Sequence, residues 1–199
     1  MSWLLDALFP GACAGCGTVG GTAFCCRCEA SLCFDVRRCG TLDVFSLGSY
    51  EGQLRRAILA YKRGRCDAGD ALGRLLAAAC VRAIPPDALI VPVTTTARRR
   101  RERGFDQSVR LAGTIAREFR RPTRSVLRQT AGDAQRGRSR VDRLLAAGRY
   151  TCDAPAAVAG CNVVLVDDVV TTGATLFDCA SVLRACGATV TTAIVLARA

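Results

Sequence analysis

Residues 163–175 read Val163-Val-Leu-Val-Asp167-Asp168-Val-Val-Thr171-Thr172-Gly173-Ala-Thr175. Four apolar residues have the length and composition of a strand buried on both faces. Two consecutive carboxylates leave its carboxyl end, and a loop of Thr, Thr, Gly and Thr enters a helix expected over 175–186. In an α/β sheet that is where ligands bind. The loop amides and the helix N-terminus form an anion cradle, the hydroxyls add donors, and Gly173 lets the backbone approach a phosphate closely. Two buried carboxylates side by side are costly without a partner. The plain alternative is a strand, a turn and a helix with an ordinary capping acid. The apolar run before Asp-Asp also resembles a Walker B strand. Walker A, however, needs Gly-Lys-Ser/Thr, and the only lysine, Lys62, is followed by Arg63, which excludes a P-loop NTPase.

Working outward, strands alternate with helices. Val44–Ser49 and Leu89–Val93 read as strands, Val126-Leu127 as a short one, and Val190–Leu196 as the closing strand. Leu54–Tyr61, Ala71–Ile84 and Gln107–Phe119 carry apolar residues at helical spacing. Residues 128–145 are rich in Arg, Gly and Gln without apolar periodicity, which predicts a mobile loop or an exposed helix. The alternation predicts a mostly parallel sheet covered on both faces. Composition shifts near residue 45, so a Cys-rich module over 1–45 and an α/β domain over 46–199 are expected.

Half of the 199 residues are hydrophobic, enough for a core. There is no histidine, which removes Ser-His-Asp and Cys-His pairs, H-E-x-x-H zinc peptidases and Cys2His2 fingers. The net charge is +11, and residues 97–149 hold 16 Arg against five acids, which accounts for all of it. Such clustering points to phosphate, diphosphate or a nucleic-acid backbone nearby. A genome that favours Arg explains why 27 of 28 basic residues are Arg, but not where they fall. Phe105 and Phe119 are the only aromatics of that segment before Tyr150, which leaves little for a base-stacking platform.

Seven of the 13 cysteines fall in the first 39 residues. Cys13-Ala-Gly-Cys16 and Cys25-Cys-Arg-Cys28 are two C-x-x-C pairs eight residues apart, able to grip one tetrahedral Zn²⁺. Chance pairing in a Cys-rich stretch is the alternative. The isolated Cys66, Cys80, Cys152, Cys161, Cys179 and Cys186 are expected as core packing. Residues 1–10 are apolar but short, lack a basic start and carry Asp6, and no apolar run approaches a membrane span. A cytoplasmic protein with reduced thiols and no membrane insertion is the expectation.

All thirteen positions of 163–175 resemble the phosphoribosyl-diphosphate (PRPP) motif of type I phosphoribosyltransferases. Further segments look like the ComF (competence protein F) family, a zinc module fused to a phosphoribosyltransferase fold. These are Tyr50-Glu-Gly52 with Leu54-Arg55 and Tyr61-Lys62-Arg63-Gly64, then Val91-Pro92-Val93 with Arg103-Gly104-Phe105-Asp106-Gln107, and Gln135 with Arg143. The sequence departs from that pattern at Thr94 (for Pro), Asp106 (for Asn), Ala146 (for Asn) and at a second C-x-x-C cluster reduced to Cys39. The resemblance implies that Asp167 and Asp168 hydrogen-bond the ribose hydroxyls of PRPP. It implies that Val169, Val170, Thr171, Thr172, Gly173, Ala174 and Thr175 complete the PRPP-binding loop. Arg103, Lys62 and Gln135 are the candidates for the pyrophosphate side and the flexible loop. Mg²⁺ is expected with PRPP, and structural Zn²⁺ on Cys13, Cys16, Cys25 and Cys28.

Three readings follow from the sequence and from what the resemblance implies. One is a transferase that releases pyrophosphate from PRPP. Another is an adaptor in DNA uptake that binds single-stranded DNA or a competence helicase. The plainest is a zinc-stabilised α/β protein whose Arg excess is codon bias.

Overall fold

A computed structural model of the chain describes residues 11–130 and 149–199. Its centre is a five-stranded sheet: β1 (Asp35–Cys39), β2 (Leu42–Ser46), β3 (Leu89–Pro92), β6 (Asn162–Val170) and β7 (Thr189–Arg198). The order is β1-β2-β7-β6-β3, parallel throughout except for the β1–β2 edge hairpin. Alternate residues of β6 serve opposite layers. Val164 and Val166 pack under one face, Val163 and Leu165 under the other, which is why this strand reads as an unbroken apolar run.

One layer holds helices α2 (Gly52–Lys62), α3 (Cys66–Cys80) and α5 (Gln107–Phe119). The other holds α6 (Ala174–Ala185) and a two-stranded antiparallel ribbon, β4 (Leu127–Gln129) with β5 (Tyr150–Cys152). A short helix α1 (Cys26–Glu29) lies in the Cys-rich part, and α4 (Ala97–Arg103) follows β3.

The elements expected from apolar spacing are present, with shifted ends. The strand expected over Val163–Val166 runs on to Val170, so the acid pair lies within β6 rather than beyond it. Helix α4 was not legible as a helix, since its seven residues, ARRRRER, bury no side chain. Thr96 caps it by accepting the Arg99 N–H at 3.2 Å, and Gly104 ends it at a φ of 78°. The region expected as a loop or exposed helix, including Gln135 and Arg143, falls mostly outside the described residues.

Two sets of contacts cross the expected boundary near residue 45. The boundary near residue 45 cuts β2, whose Asp43–Ser46 pair in parallel with Thr192–Val195 of β7. Leu42 and Val44 belong to the core under α6, so residues 35–46 form an edge hairpin of the sheet. Nor does the Cys-rich part stand apart from the core. Cys13, Phe24 and Cys28 share it with Leu54, Ile58 and Tyr61. Arg56 Nε donates to the Gly15 carbonyl at 2.7 Å, and Arg65 Nη2 to that of Ala12 at 3.0 Å. Among the isolated cysteines only Cys80 and Cys179 are buried; Cys66, Cys152, Cys161 and Cys186 are half-buried.

Tyr61 is fully buried, and its hydroxyl donates to the Gln107 carbonyl at 2.7 Å, tying α2 to the start of α5. A Cβ on Gly69 of α3 would clash with the edge of the Tyr61 ring, whereas one on Gly113 of α5 would meet nothing within 4 Å. Opposite outcomes are expected in urea unfolding. Gly69→Ala should destabilise by about 1–3 kcal/mol through overpacking. Gly113→Ala should stabilise by about 0.5–1 kcal/mol through helix propensity.

Candidate functional site

The carboxyl ends of β3 and β6 and the first turns of α4, α5 and α6 enclose a cleft of about 430 Å³. Asp167 and Asp168 line it. Successive side chains on a strand leave it in opposite directions, and the two acids meet different partners. Asp168 Oδ2 lies 2.9 Å from Lys62 Nζ at the last residue of α2, with both side chains mostly buried. Asp167 Oδ1 accepts the Ser108 hydroxyl at 2.9 Å and the Asp168 N–H at 2.8 Å. Burial, then the charge of Asp168, hold the Asp167 carboxyl well above the usual carboxylate range, against the lowering effect of those two hydrogen bonds and of Lys62.

Thr171 and Thr175 line the same cleft. A smaller hollow of about 40 Å³ opens beside it, lined by Thr171, Thr172, Gly173, Ala174 and Thr175. Gly173 has a φ of 79° at the N-cap of α6, a conformation that favours glycine. The first turn of α6 presents N–H groups without intrahelical acceptors. Val169 lines the cleft, while Val170 is buried in the core.

Of the basic candidates, Lys62 and Arg103 both line the cleft, and Gln135 lies outside the described residues. Arg103 Nη1 donates to Gln107 Oε1 at 2.8 Å. That contact fixes the amide, and the buried Nε2 of Gln107 has no partner among the described residues. Gln107 also lines the cleft, with this donor beneath its surface. Arg99 faces the cleft from α4. Phe105 packs on Tyr61 with ring centroids 5.5 Å apart.

Ser108, Thr95, Gln107 and Arg149 are site residues that the sequence did not single out. Only Gln107 carried a signal, as the last residue of the Arg-Gly-Phe-Asp-Gln segment. The departures at Thr94 and Asp106 have structural uses. Asp106 caps α5 by accepting the Ser108 and Val109 N–H groups, and its other oxygen accepts the Thr95 N–H at 2.9 Å. The loop after β3 is thereby pinned to α5. Thr94 is buried and donates to the Leu127 carbonyl at 2.7 Å, tying the same loop to the ribbon.

Remote from the cleft chemistry, Cys13, Cys16, Cys25 and Cys28 converge, with all four sulfurs within 4.8 Å of one another. Cys13 and Cys28 are 3.7 Å apart, and Cys16 and Cys25 are 3.6 Å apart. Four thiolates on a tetrahedral zinc with Zn–S of about 2.3 Å stand about 3.8 Å apart, so the set fits Zn²⁺. The hydroxyl and amide of Thr18 pull the Cys16 thiol down to about 6. Gly15 is required here, because a Cβ would lie 2.8 Å from Cys28 Sγ and 2.9 Å from the Phe24 ring.

Residues 105–199 match the family model for the phosphoribosyl transferase domain. The match takes in α5, the ribbon, β6 with its acid pair, the hydroxyl loop, α6 and β7, so just under half of this α/β chain is similar to a phosphoribosyl transferase domain. Among solved structures, the chain is similar to an allosteric regulatory enzyme of purine biosynthesis. The identity is 22% and the TM-score 0.46, over 63% of this chain and 25% of that one. The chain thus spans about a quarter of that enzyme's length. No curated protein matches it. No helix among the described residues is long and apolar enough to cross a membrane.

Two measurements test this geometry. Metal analysis should find about one zinc per chain, and Cys25→Ser should lower both zinc content and melting temperature. Full order without metal would overturn the assignment. The second concerns Asp167 without ligand. A carboxyl raised on folding is stabilising below its unfolded pKa of about 4 and loses that contribution as pH rises through the folded value. The folded value is about 7. Asp167→Asn should therefore gain stability over the natural chain between those limits, by on the order of 1–2 kcal/mol after solvent screening. A difference that does not vary over that range would contradict the buried environment.

Proposed function

We propose that the cleft binds PRPP and transfers its phosphoribosyl group to an acceptor, with release of pyrophosphate. The charge layout carries this reading. Two carboxylates sit on the floor of a cleft that has a hydroxyl-and-amide loop after β6 and, around it, the cations Lys62, Arg99 and Arg103. A molecule with vicinal hydroxyls in the middle and phosphates at both ends is complementary to that pattern.

In this reading Asp167 and Asp168 accept hydrogen bonds from the ribose hydroxyls. Thr171–Thr175 hold the 5-phosphate through hydroxyls and amides. Arg103 and Lys62 face the diphosphate, with bidentate guanidinium contacts the natural chemistry. Gln135 belongs to this group by resemblance alone. The bond between C1 and the diphosphate oxygen breaks as the acceptor's lone pair forms its bond to C1. Positive charge develops on the ribose, and the nearby carboxylates stabilise it. No protein nucleophile is needed, which suits a chain without histidine. Asp168 is the residue whose cleft-lining oxygens suit Mg²⁺, a hard cation that would neutralise the departing diphosphate.

The Lys62–Asp168 pair gives the site a defined resting state. Lys62 holds Asp168 until ligand arrives, and then has a diphosphate as its counter-charge. Calorimetric titration with PRPP, with and without Mg²⁺, tests the reading. Asp167→Ala and Asp168→Ala should each weaken PRPP by roughly 1.5–3 kcal/mol, about ten- to a hundredfold, without unfolding the chain. Unchanged binding in both variants would remove the ribose assignment. Pyrophosphate release screened against bases and amines would then identify the acceptor.

A second reading, in DNA uptake with single-stranded DNA or a helicase, draws on α4. Arg98, Arg100 and Arg101 of that helix are exposed, while Arg99 and Arg103 line the cleft. Single-stranded DNA should then bind with a steep salt dependence. Replacing Arg98, Arg100 and Arg101 by Ser should flatten that slope and leave PRPP affinity within about twofold. Absence of single-strand binding at low salt would rule out direct DNA contact.

A further inference from the structure

Arg149 belongs to the basic segment by sequence, but its surroundings set it apart. Its backbone is fixed by the ribbon: the Thr130 N–H donates to the Arg149 carbonyl at 2.9 Å, and the next residue, Tyr150, pairs with Gln129. Tyr150 is buried, and its hydroxyl donates to the Thr94 carbonyl at 3.3 Å. The side chain is fixed from the opposite direction. Arg149 Nε lies 3.2 Å from Asp178 Oδ2 on α6, and Nη2 lies 3.5 Å from Thr175 Oγ1. The guanidinium is therefore held over the first turn of α6, at the rim of the hydroxyl loop, and lines the cleft.

The loop offers only neutral donors: hydroxyls, amides and a helix N-terminus. A phosphate monoester has a second ionisation near pH 6 and is mostly a dianion at neutral pH. Neutral donors discriminate weakly between its two charge states, whereas a guanidinium favours the dianion and offers five N–H donors in a planar fork. Asp178 and Thr175 engage one edge of that fork, and the other edge has no partner among the described residues and can meet an anion in the cradle.

We infer that Arg149 is a binding residue for the 5-phosphate of the ribosyl substrate, and that Asp178 is the positioning residue that aims it. The inference rests on the phosphoribosyl reading above and narrows it: the ligand class is a ribose carrying an ionised 5-phosphate monoester. The two ends of the substrate then have separate cations, Arg149 at the 5-phosphate and Arg103 with Lys62 at the diphosphate.

Ribose 5-phosphate, which has only the first of these ends, separates them. By calorimetry on the full chain, Arg149→Gln should weaken ribose 5-phosphate by about tenfold or more, the worth of a charged hydrogen bond. Arg103→Gln should change it by less than about twofold, while both variants weaken PRPP. Asp178→Asn should cost about threefold, since the guanidinium stays but is no longer aimed. Affinity of the natural chain for ribose 5-phosphate should rise from pH 5.5 to 7.5 as the dianion forms and as Asp167 ionises beside the ribose, and Arg149→Gln should remove the dianion's share of that rise and so flatten it. Arg149→Lys keeps the charge and should retain part of both effects; it carries the comparison if the Gln variant melts early. Equal loss of ribose 5-phosphate in the Arg103 and Arg149 variants, or an unchanged pH profile in Arg149→Gln, overturns the inference and leaves the transferase reading standing. A natural chain that binds neither PRPP nor ribose 5-phosphate overturns both.

Discussion

Two carboxylates on consecutive residues at the end of a buried strand are the constraint around which this molecule is arranged. Desolvation and mutual repulsion both oppose their ionisation, and unpaired they would cost several kcal/mol. The fold brings one partner to each. Lys62 reaches Asp168 from the end of α2, and Ser108 reaches Asp167 from the start of α5. Those contacts require α2 and α5 to end and begin at the same point above β6. The buried Tyr61, bonded to the Gln107 carbonyl, holds them there. The residue before Lys62 and the residue before Ser108 are thus the ones that fasten the two helices together. Packing and site electrostatics depend on the same few side chains.

The loop between β3 and α5 is fixed with comparable economy. Asp106 caps α5 with one oxygen and holds the Thr95 N–H with the other, while Thr94 bonds into the ribbon. The cleft wall is therefore tied to both layers of the sheet. Helix α4, which this loop carries, buries nothing of its own and takes its place from caps at its two ends. Such an element presents several guanidinium groups without asking the core to accommodate any of them.

The cysteine centre is joined to the same framework. Its four sulfurs lie within 4.8 Å of one another on one side, and Cys13, Phe24 and Cys28 enter the core under α2 on the other. Gly15 allows the knuckle to close on Cys28 and Phe24. A metal there would rigidify the platform on which α2, and therefore Lys62, rests. A segment this short has too little apolar area to fold alone, so a metal bound there and the docking surface would supply its order together.

Local chemistry made part of this legible in the sequence. The apolar run before Asp167, the Thr-Thr-Gly-Ala-Thr loop and the C-x-x-C pairs each act over a few neighbouring residues, and each marks its own place. The parallel α/β fold, the acid pair at the cleft and the four converging thiols followed from them. Lys62 stood out because it is the only lysine. What the sequence left open needed residues far apart in the chain to meet. Ser108 lies 59 positions from Asp167 and Arg149 lies 29 from Asp178. A serine in a first helical turn or one arginine among 16 carries no local mark of such a partner. The edge hairpin was hidden because β1 exposes Val36, Arg37 and Arg38, so its pattern lacks the alternation that signals a half-buried strand. Sequence pattern determined which residues are apolar, charged or able to bind metal; only the packing of α2, α5 and the ribbon over one end of the sheet decided which charges face each other, because desolvation makes their energies depend on that meeting.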